Sequence, residues 1–117
     1  MLTEKQRLLF ENLKGIKDTN VDLSVGIFHP ESNIQWTDSD GAYQFLRNKL
    51  NSEEDLKALA VIQNELVEQV IYRILEMIDG YGGLNFEVDL IDQETKQSLR
   101  DGIQLHDKFM DHLYKNE

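Results

Sequence analysis

The chain contains no cysteine, and only one proline and one tryptophan occur among its 117 residues. Without cysteine there is no disulfide framework and no thiolate metal site. The sequence also lacks a Gly-rich phosphate loop, a G-x-S-x-G motif and a P-loop. These are the motifs that most clearly mark nucleotide-binding and hydrolase sites. The first residues, MLTEKQRLLFENLK, carry charges throughout and have no apolar signal-peptide core. We therefore expect a cytoplasmic protein.

Basic residues are scarce. Twelve Lys and Arg stand against 22 Asp and Glu, which gives a net charge of −10. The imbalance is greatest in residues 76–117, with ten acidic and four basic residues. Such a surface repels nucleic-acid phosphates and attracts a basic protein, so we expect no direct binding to nucleic acid. Ordinary solubility is the alternative explanation for the charge.

Residues 52–79 predict one long helix around which the rest of the chain is organised. Ser52 and Asp55 form an approximate capping box, and Gly80 is suited to end the helix. Its 28 residues extend about 42 Å at ~1.5 Å per residue, so one end is expected to project or to meet a partner. Charged residues interrupt its apolar run, so it does not predict a membrane span. Apolar side chains recur at helical spacing, at Leu56, Leu59, Ala60, Leu66, Val67, Val70, Ile74 and Ile78.

Alternating apolar and polar residues predict strands on both sides of this helix. One strand is expected over 21–28, with a short return strand over 34–37 after a turn at Pro30. The clearest strand is expected over 84–90, with a brief partner over 96–99.

Three further helices are predicted. The first begins at a capping box of Thr3 and Gln6, the second covers 42–50, and the last is capped by Asp101 and Gln104. The order of elements predicts an α+β fold in a single domain, residues 1–117. A small antiparallel sheet packs against one long central helix, with flanking N- and C-terminal helices.

Candidate metal sites fail on spacing. Asp38-Ser39-Asp40-Gly41 resembles a calcium loop, but the first and twelfth ligand positions would be Trp36 and Arg47. His106 and His112 diverge around the last helix, whereas a zinc site needs two ligands on one face. We therefore expect no metal and no cofactor.

The segment 72–82, YRILEMIDGYG, is followed by FEVDLID at 86–92 and LHDKFM at 105–110. This C-terminal half is similar to small uncharacterised proteins of Gram-positive bacteria, some of which resemble immunity proteins of toxin systems. The resemblance implies a small cytoplasmic protein with no enzymatic role.

These observations favour a non-enzymatic, acidic protein-binding domain that neutralises a basic protein partner, as an immunity protein or antitoxin does. The alternatives are a homo-oligomer formed through the long helix, and a metal-dependent hydrolytic enzyme using Asp89, Asp92, His106 and Asp107. Tyr81, between Gly80 and Gly82, is expected to fill the end of the core, and the alternative is an exposed anchor for a partner. The same two roles are open to Trp36, which lies in a polar stretch. The expected binding residues are Glu87, Asp89, Asp92, Asp107 and Asp111, with Trp36 and Tyr81.

Overall fold

A computed structural model describes residues 1–29, 31–32 and 38–115, and within them the protein is helical. The α+β prediction is therefore wrong for this part of the chain. It contains no strand, and its β pairing is a single isolated antiparallel bridge between Ile91 and Ser98. None of the helices described is long and apolar enough to cross a membrane. The helices are α1 (Glu4–Gly26), α2 (Asp40–Arg47), α3 (Glu53–Ile78) and α4 (Leu105–Lys115).

The strand predicted over 21–28 belongs mainly to the last turns of α1. Val21 and Phe28 are seven residues apart and both are buried, while Leu23, an intended member of the apolar face, is exposed. A helix repeats every 3.6 residues, so its spacing explains this burial and a period of two does not. Gly15, which lies between this stretch and the capped start of α1 at Thr3, does not end the helix, and α1 continues through it. The return strand predicted over 34–37 lies outside the described residues.

The strand predicted over 84–90 is irregular chain. Leu84 and Phe86, which should share a buried face, are both exposed. Beyond the isolated bridge, the Leu99 N–H donates to the Leu90 carbonyl (2.8 Å). An isolated two-stranded ribbon is marginal in water, and no strand among the described residues extends this pairing into a sheet.

The long helix predicted over 52–79 is confirmed as α3. The Asp55 N–H donates to Ser52 Oγ (3.0 Å) and the Ser52 N–H to Asp55 Oδ2 (3.3 Å), which completes the capping box. At the other end, Gly80 has a φ of +97°. The Tyr81 N–H then donates to the Glu76 carbonyl (3.0 Å), as in a Schellman motif.

The shorter helices differ in how well they match prediction. The helix expected over 42–50 is α2, which buries none of its residues. Phe45 and Leu46 are exposed, because α2 packs through Tyr43. The C-terminal helix is confirmed as α4, with Leu105 and Phe109 fully buried.

The described chain divides into two compact units. The first unit combines Met1–Gly15 with the chain from Glu68 onwards. Its core is a cluster of four buried side chains, surrounded by half-buried residues of α1, α3 and α4. The four are Phe10, Leu75, Leu105 and Phe109.

The second unit is Ile16–Val67. Its core is smaller, with Ile27, Phe28 and Leu56 buried and the Tyr43 ring packed edge-on against Phe28 at 5.9 Å. The sequence predicted a single domain. The division into two compact units does not test the number of domains, so the single domain stays a prediction.

Candidate functional site

The irregular chain after α3 forms a concave surface on the first unit. Its cavity of about 610 Å³ is lined at one side by Tyr81 and Phe86, which are 63% and 62% exposed. Glu87, also exposed, lies on the same lining. At Gly82, which also lines the cavity, the backbone packs closely against α3, because a Cβ on Gly82 would come within 2.9 Å of Met77 Cβ. A glycine is therefore needed at position 82.

An ion pair between Asp79 and Arg100 contributes to the lining of the cavity. Asp79 Oδ1 lies 3.4 Å from Arg100 Nε, and only 1% of the Asp79 side chain is exposed. Arg100 also donates from Nη1 to the Val88 carbonyl (3.0 Å) and from Nη2 to the Asp79 carbonyl (3.4 Å). Arg100 thus connects the end of α3 to the cavity wall, and its charge is offset by Asp79.

The same carboxylate holds the start of α4. Asp79 Oδ2 accepts the backbone N–H of His106 (2.9 Å) and lies 2.5 Å from His106 Nδ1. An ionised carboxylate can only accept, so Nδ1 carries the proton in this contact. Asp79 therefore performs the capping that the sequence assigned to Asp101, and its negative charge lies at the positive end of α4.

Aromatic rings enclose the buried imidazole. The rings of Tyr72 and Tyr81 stand edge-on to His106, with centroids 5.3 Å and 5.5 Å away. Gln104 Nε2 donates to the Tyr81 hydroxyl (2.7 Å). The ring contact with His106 and the hydrogen bond from Gln104 together orient the Tyr81 ring, while much of the ring stays accessible to solvent.

The structure brings some of the predicted binding residues together. Glu87 and Tyr81 line one cavity. Asp89 is exposed and lies 4.0 Å from Arg100 Nη1, and its Oδ1 accepts a hydrogen bond from Ser98 Oγ (2.9 Å). Asp107 is exposed, with Oδ1 3.5 Å from His106 Nε2.

Two other predicted acids are occupied in holding the fold. Asp92 accepts the Glu94 N–H (2.9 Å) and is paired with Lys5. The hydrogen bond from Lys5, and after it that from the Glu94 backbone, lower the pKa of Asp92 from 3.8 to about 2. Asp111 lies within an α4 ion-pair network, 3.3 Å from Lys115 and 3.8 Å from Lys108. Trp36 lies outside the described residues.

Sequence reasoning missed Asp79, Phe86 and Arg100. Asp79 carried a signal, because a carboxylate just beyond the C-terminus of a helix faces the negative end of the helix dipole. An acid in that position indicates a partner elsewhere, which here is the start of α4. Phe86 was assigned to a buried strand face, and nothing in the local pattern identifies it as exposed.

Two residues of the enzyme hypothesis are held by other partners, because Asp92 pairs with Lys5 and His106 is buried against Asp79. The other two are exposed: Asp107 lies 3.5 Å from His106, and Asp89 accepts a hydrogen bond from Ser98. In the part of the chain that the structure describes, no group of three or more His, Cys, Asp or Glu side chains is placed to hold a metal ion.

The lining of the cavity thus combines exposed aromatic rings and Glu87 with Arg100, which is paired with Asp79. This arrangement offers apolar contact and negative charge to whatever binds there. Comparison of the chain with protein-family models, with curated proteins and with solved structures finds no match.

Proposed function

We propose that this protein is a non-enzymatic binding protein whose cavity receives an arginine- or lysine-bearing segment of a basic protein partner. The observation that carries the proposal is the exposed pair Tyr81 and Phe86 lining one cavity with Glu87. Aromatic side chains that remain accessible around a concavity are the residue types that anchor protein partners.

The chemistry of the lining selects a cationic side chain. An arginine guanidinium stacks on aromatic faces and pairs with a carboxylate, so Tyr81, Phe86 and Glu87 together offer what it needs. Arg100 does not oppose this, because its charge is offset by Asp79 at 3.4 Å. The Gln104 hydrogen bond orients the Tyr81 ring before a partner arrives, which lowers the entropic cost of binding.

The resemblance of the C-terminal half to immunity-like proteins makes the proposal more concrete. In that form the partner is a basic toxin, such as a nuclease, and binding neutralises it. The cytoplasm is the proposed compartment, which a chain without cysteine suits.

The test uses nuclear magnetic resonance with short peptides as probes. A peptide with an Arg-Leu-Arg centre should shift the backbone amide signals of residues 81–88, whereas a peptide with a Glu-Leu-Glu centre should not. Raising the salt from 50 mM to 300 mM should weaken the Arg-peptide effect, because exposed charges are screened beyond a Debye length of about 10 Å already at 0.1 M.

Matched variants locate the binding. Phe86→Ala and Glu87→Gln should each weaken peptide binding at least threefold. Phe45→Ala removes a ring of the same 62% exposure from α2 and should leave binding unchanged. Equal shifts with both peptides, or shifts confined to residues outside 79–106, would contradict the proposed site.

A further inference from the structure

A second depression, which we call the aliphatic hollow, adjoins the cavity of the first unit. It has a volume of about 330 Å³ and is lined by Gln69, Val70, Arg73, Ile74 and Met77. Met77 also lines the larger cavity of about 610 Å³. Because one side chain borders both depressions, the two lie side by side. Both belong to the first unit, which takes in the chain from Glu68 onwards.

The hollow presents apolar surface that the core leaves exposed. Val70 and Ile74 are 50% and 49% exposed, whereas their neighbours Ile71 and Ile78 are half-buried and pack on the core. A step of four residues places Val70 and Ile74 on one face of α3, and Met77 follows on the same face. Single exposed apolar residues are normal on a protein surface, but a contiguous group of them indicates an interaction site.

The two depressions offer different chemistry to a ligand. The charge that borders the hollow is paired on its own helix, since Arg73 Nη1 lies 3.0 Å from Glu76 Oε1. The hollow therefore suits an aliphatic side chain. The neighbouring cavity presents Glu87 beside the exposed rings of Tyr81 and Phe86, which suit a cation.

We infer that the hollow receives an aliphatic side chain of the same partner segment whose cation enters the cavity. This inference rests on the proposed function, because the cavity supplies the first contact. Continuity of the surface assigns the occupant, since a segment held at the cavity lining passes beside Met77, which borders the hollow. The protein would thus recognise a basic residue together with Leu, Ile, Val or Met, and not a cation alone.

The length of the hollow sets the spacing of these two partner residues. Residues 69–77 extend about 12 Å along α3, so the centre of the hollow lies roughly 6 Å along the axis from Met77. Two residues of an extended segment cover about 7 Å, and one turn of a helical segment covers about 5.4 Å. We therefore expect the aliphatic residue two to four positions from the nearest basic residue of the partner.

Peptide titrations followed by nuclear magnetic resonance test this spacing. The parent peptide has the Arg-Leu-Arg centre within Gly-Ser flanks. Six derivatives carry one additional Leu, placed two, three or four positions beyond either Arg. At least one derivative should bind about tenfold more tightly than the parent, because a large part of the added side chain leaves water.

Salt separates the two contacts. Binding of the parent should weaken between 50 mM and 300 mM NaCl, because salt screens the attraction of its arginines to the acidic surface. The ratio of the derivative's affinity to that of the parent should stay constant, because apolar burial involves no charge. A ratio that falls with salt would assign the gain to charge and would contradict an aliphatic contact.

Methyl signals locate the added contact. The tight derivative should shift the methyl signals of Val70 and Ile74, whereas the parent should leave them in place and shift the signals of the cavity lining. Methyl shifts at Ile74 that follow the concentration of the protein alone, and that no peptide changes, would assign the hollow to a second copy of the chain and overturn the inference.

Matched variants complete the test. Ile74→Gln should abolish the tenfold gain while binding the parent as the wild type does, which also shows that the variant is folded. Leu8→Gln is the control, because Leu8 is an aliphatic residue of the same unit, 44% exposed on α1, and it should preserve the gain. Phe86→Ala should weaken the parent and the derivative alike.

The outcomes separate the inference from the proposed function. Binding of the parent with no gain in any derivative, or a gain that survives Ile74→Gln, would overturn the inference and leave the proposed function intact. A parent peptide that fails to shift residues 81–88 would refute the proposed function whatever the derivatives do. Failure of all seven peptides to bind would refute both.

Discussion

The two compact units carry the same net charge but hold their chains in different ways. The first unit has thirteen acidic and eight basic residues in the sequence. The second unit has nine acidic and four basic residues, so each unit has a net charge of −5. The acidic last third of the chain shares its unit with the basic residues of the N-terminus, and Lys5 pairs with Asp92. Charge counted along a sequence is therefore a poor guide to charge on a folded surface, where pairing decides which acids remain accessible.

The units also differ in the interactions that hold their non-helical segments in place. In the first unit, buried polar groups hold the segment between α3 and α4, with Asp79 and Arg100 at its base and Gln6 donating to the Leu99 and Asp101 carbonyls (3.1 and 3.0 Å). In the second unit, a smaller apolar cluster packs α2 through Tyr43, and Arg47 Nη2 donates to the Ser32 carbonyl (3.0 Å). In the first unit the irregular segment is thus held by buried polar contacts in addition to the packing of Leu90 and Ile103 on the core.

The largest expected effect compares the two apolar cores. Phe109→Ala should lower the free energy of unfolding by about 3–5 kcal/mol, because Phe109 is fully buried in the larger cluster. Phe28→Ala should lie at the lower end of that range, because fewer neighbours surround the space it leaves. Urea titration followed by circular dichroism measures both losses.

Amide hydrogen exchange assigns each loss to its unit. Phe109→Ala should accelerate exchange in the core of residues 68–115, and Phe28→Ala in the core of residues 16–67. The exposed Phe45→Ala serves as the control and should change stability by no more than about 0.5 kcal/mol. A greater loss for Phe28→Ala than for Phe109→Ala would reverse the ranking of the two cores.

A smaller effect tests the polar anchor of the first unit. Asp79→Ala should cost about 2–3 kcal/mol, because it leaves Arg100 without its paired carboxylate and the His106 N–H without its buried acceptor. The cost stays below that of a fully buried pair because the Arg100 side chain is 32% exposed and water can solvate it.

Asp107→Asn is the matched control for Asp79→Ala. Its carboxylate approaches the same imidazole at 3.5 Å but is 62% exposed as a side chain, so little stability should change. The His106 amide should exchange faster only in the Asp79 variant. Equal stability losses in the two variants would show that burial does not distinguish these carboxylates.

The smallest effect concerns the pairing that joins the N-terminus to the acidic chain. Carbon-detected nuclear magnetic resonance should find the pKa of Asp92 at about 2, and Lys5→Ala should raise it toward 3.8. Because the folded pKa lies below the ordinary value, this carboxylate stabilises the fold above about pH 4, and its contribution is lost as pH falls toward 2. Lys57→Ala removes a charge from α3 in the second unit and should leave the Asp92 titration unchanged. An Asp92 midpoint near 3.8 in the wild type would exclude the pairing.

Local signals in the sequence predicted the starts of α1 and α3 and the end of α3, but neither the length of α1 nor the cap of α4. The capping boxes at Thr3 and Ser52 and the Schellman end at Gly80 all form, because each is satisfied by residues within one turn. The strands failed because alternation over 84–90 constrains only one segment, while a sheet needs distant partners to supply its hydrogen bonds. Residues 21–28 also fit the continuation of α1, which begins at Glu4.

The candidate site was predicted only in part. Tyr81 and Glu87 were identified from an aromatic at a break and an acidic stretch, and both line the cavity. The remaining contacts of the site join residues that are far apart in the sequence. Asp79 meets His106 over 27 residues and Asp92 meets Lys5 over 87, and no local pattern contains that information.

Asp79 also closes a loop. Its contact with the His106 N–H ties the two ends of residues 80–104 together. The entropic cost of a closed loop grows only logarithmically with length, by about 0.6 kcal/mol for each doubling. Insertions and substitutions at the exposed positions 84–87 should therefore be tolerated while α3 and α4 remain unchanged. A change of binding partner would then need new side chains at those positions alone.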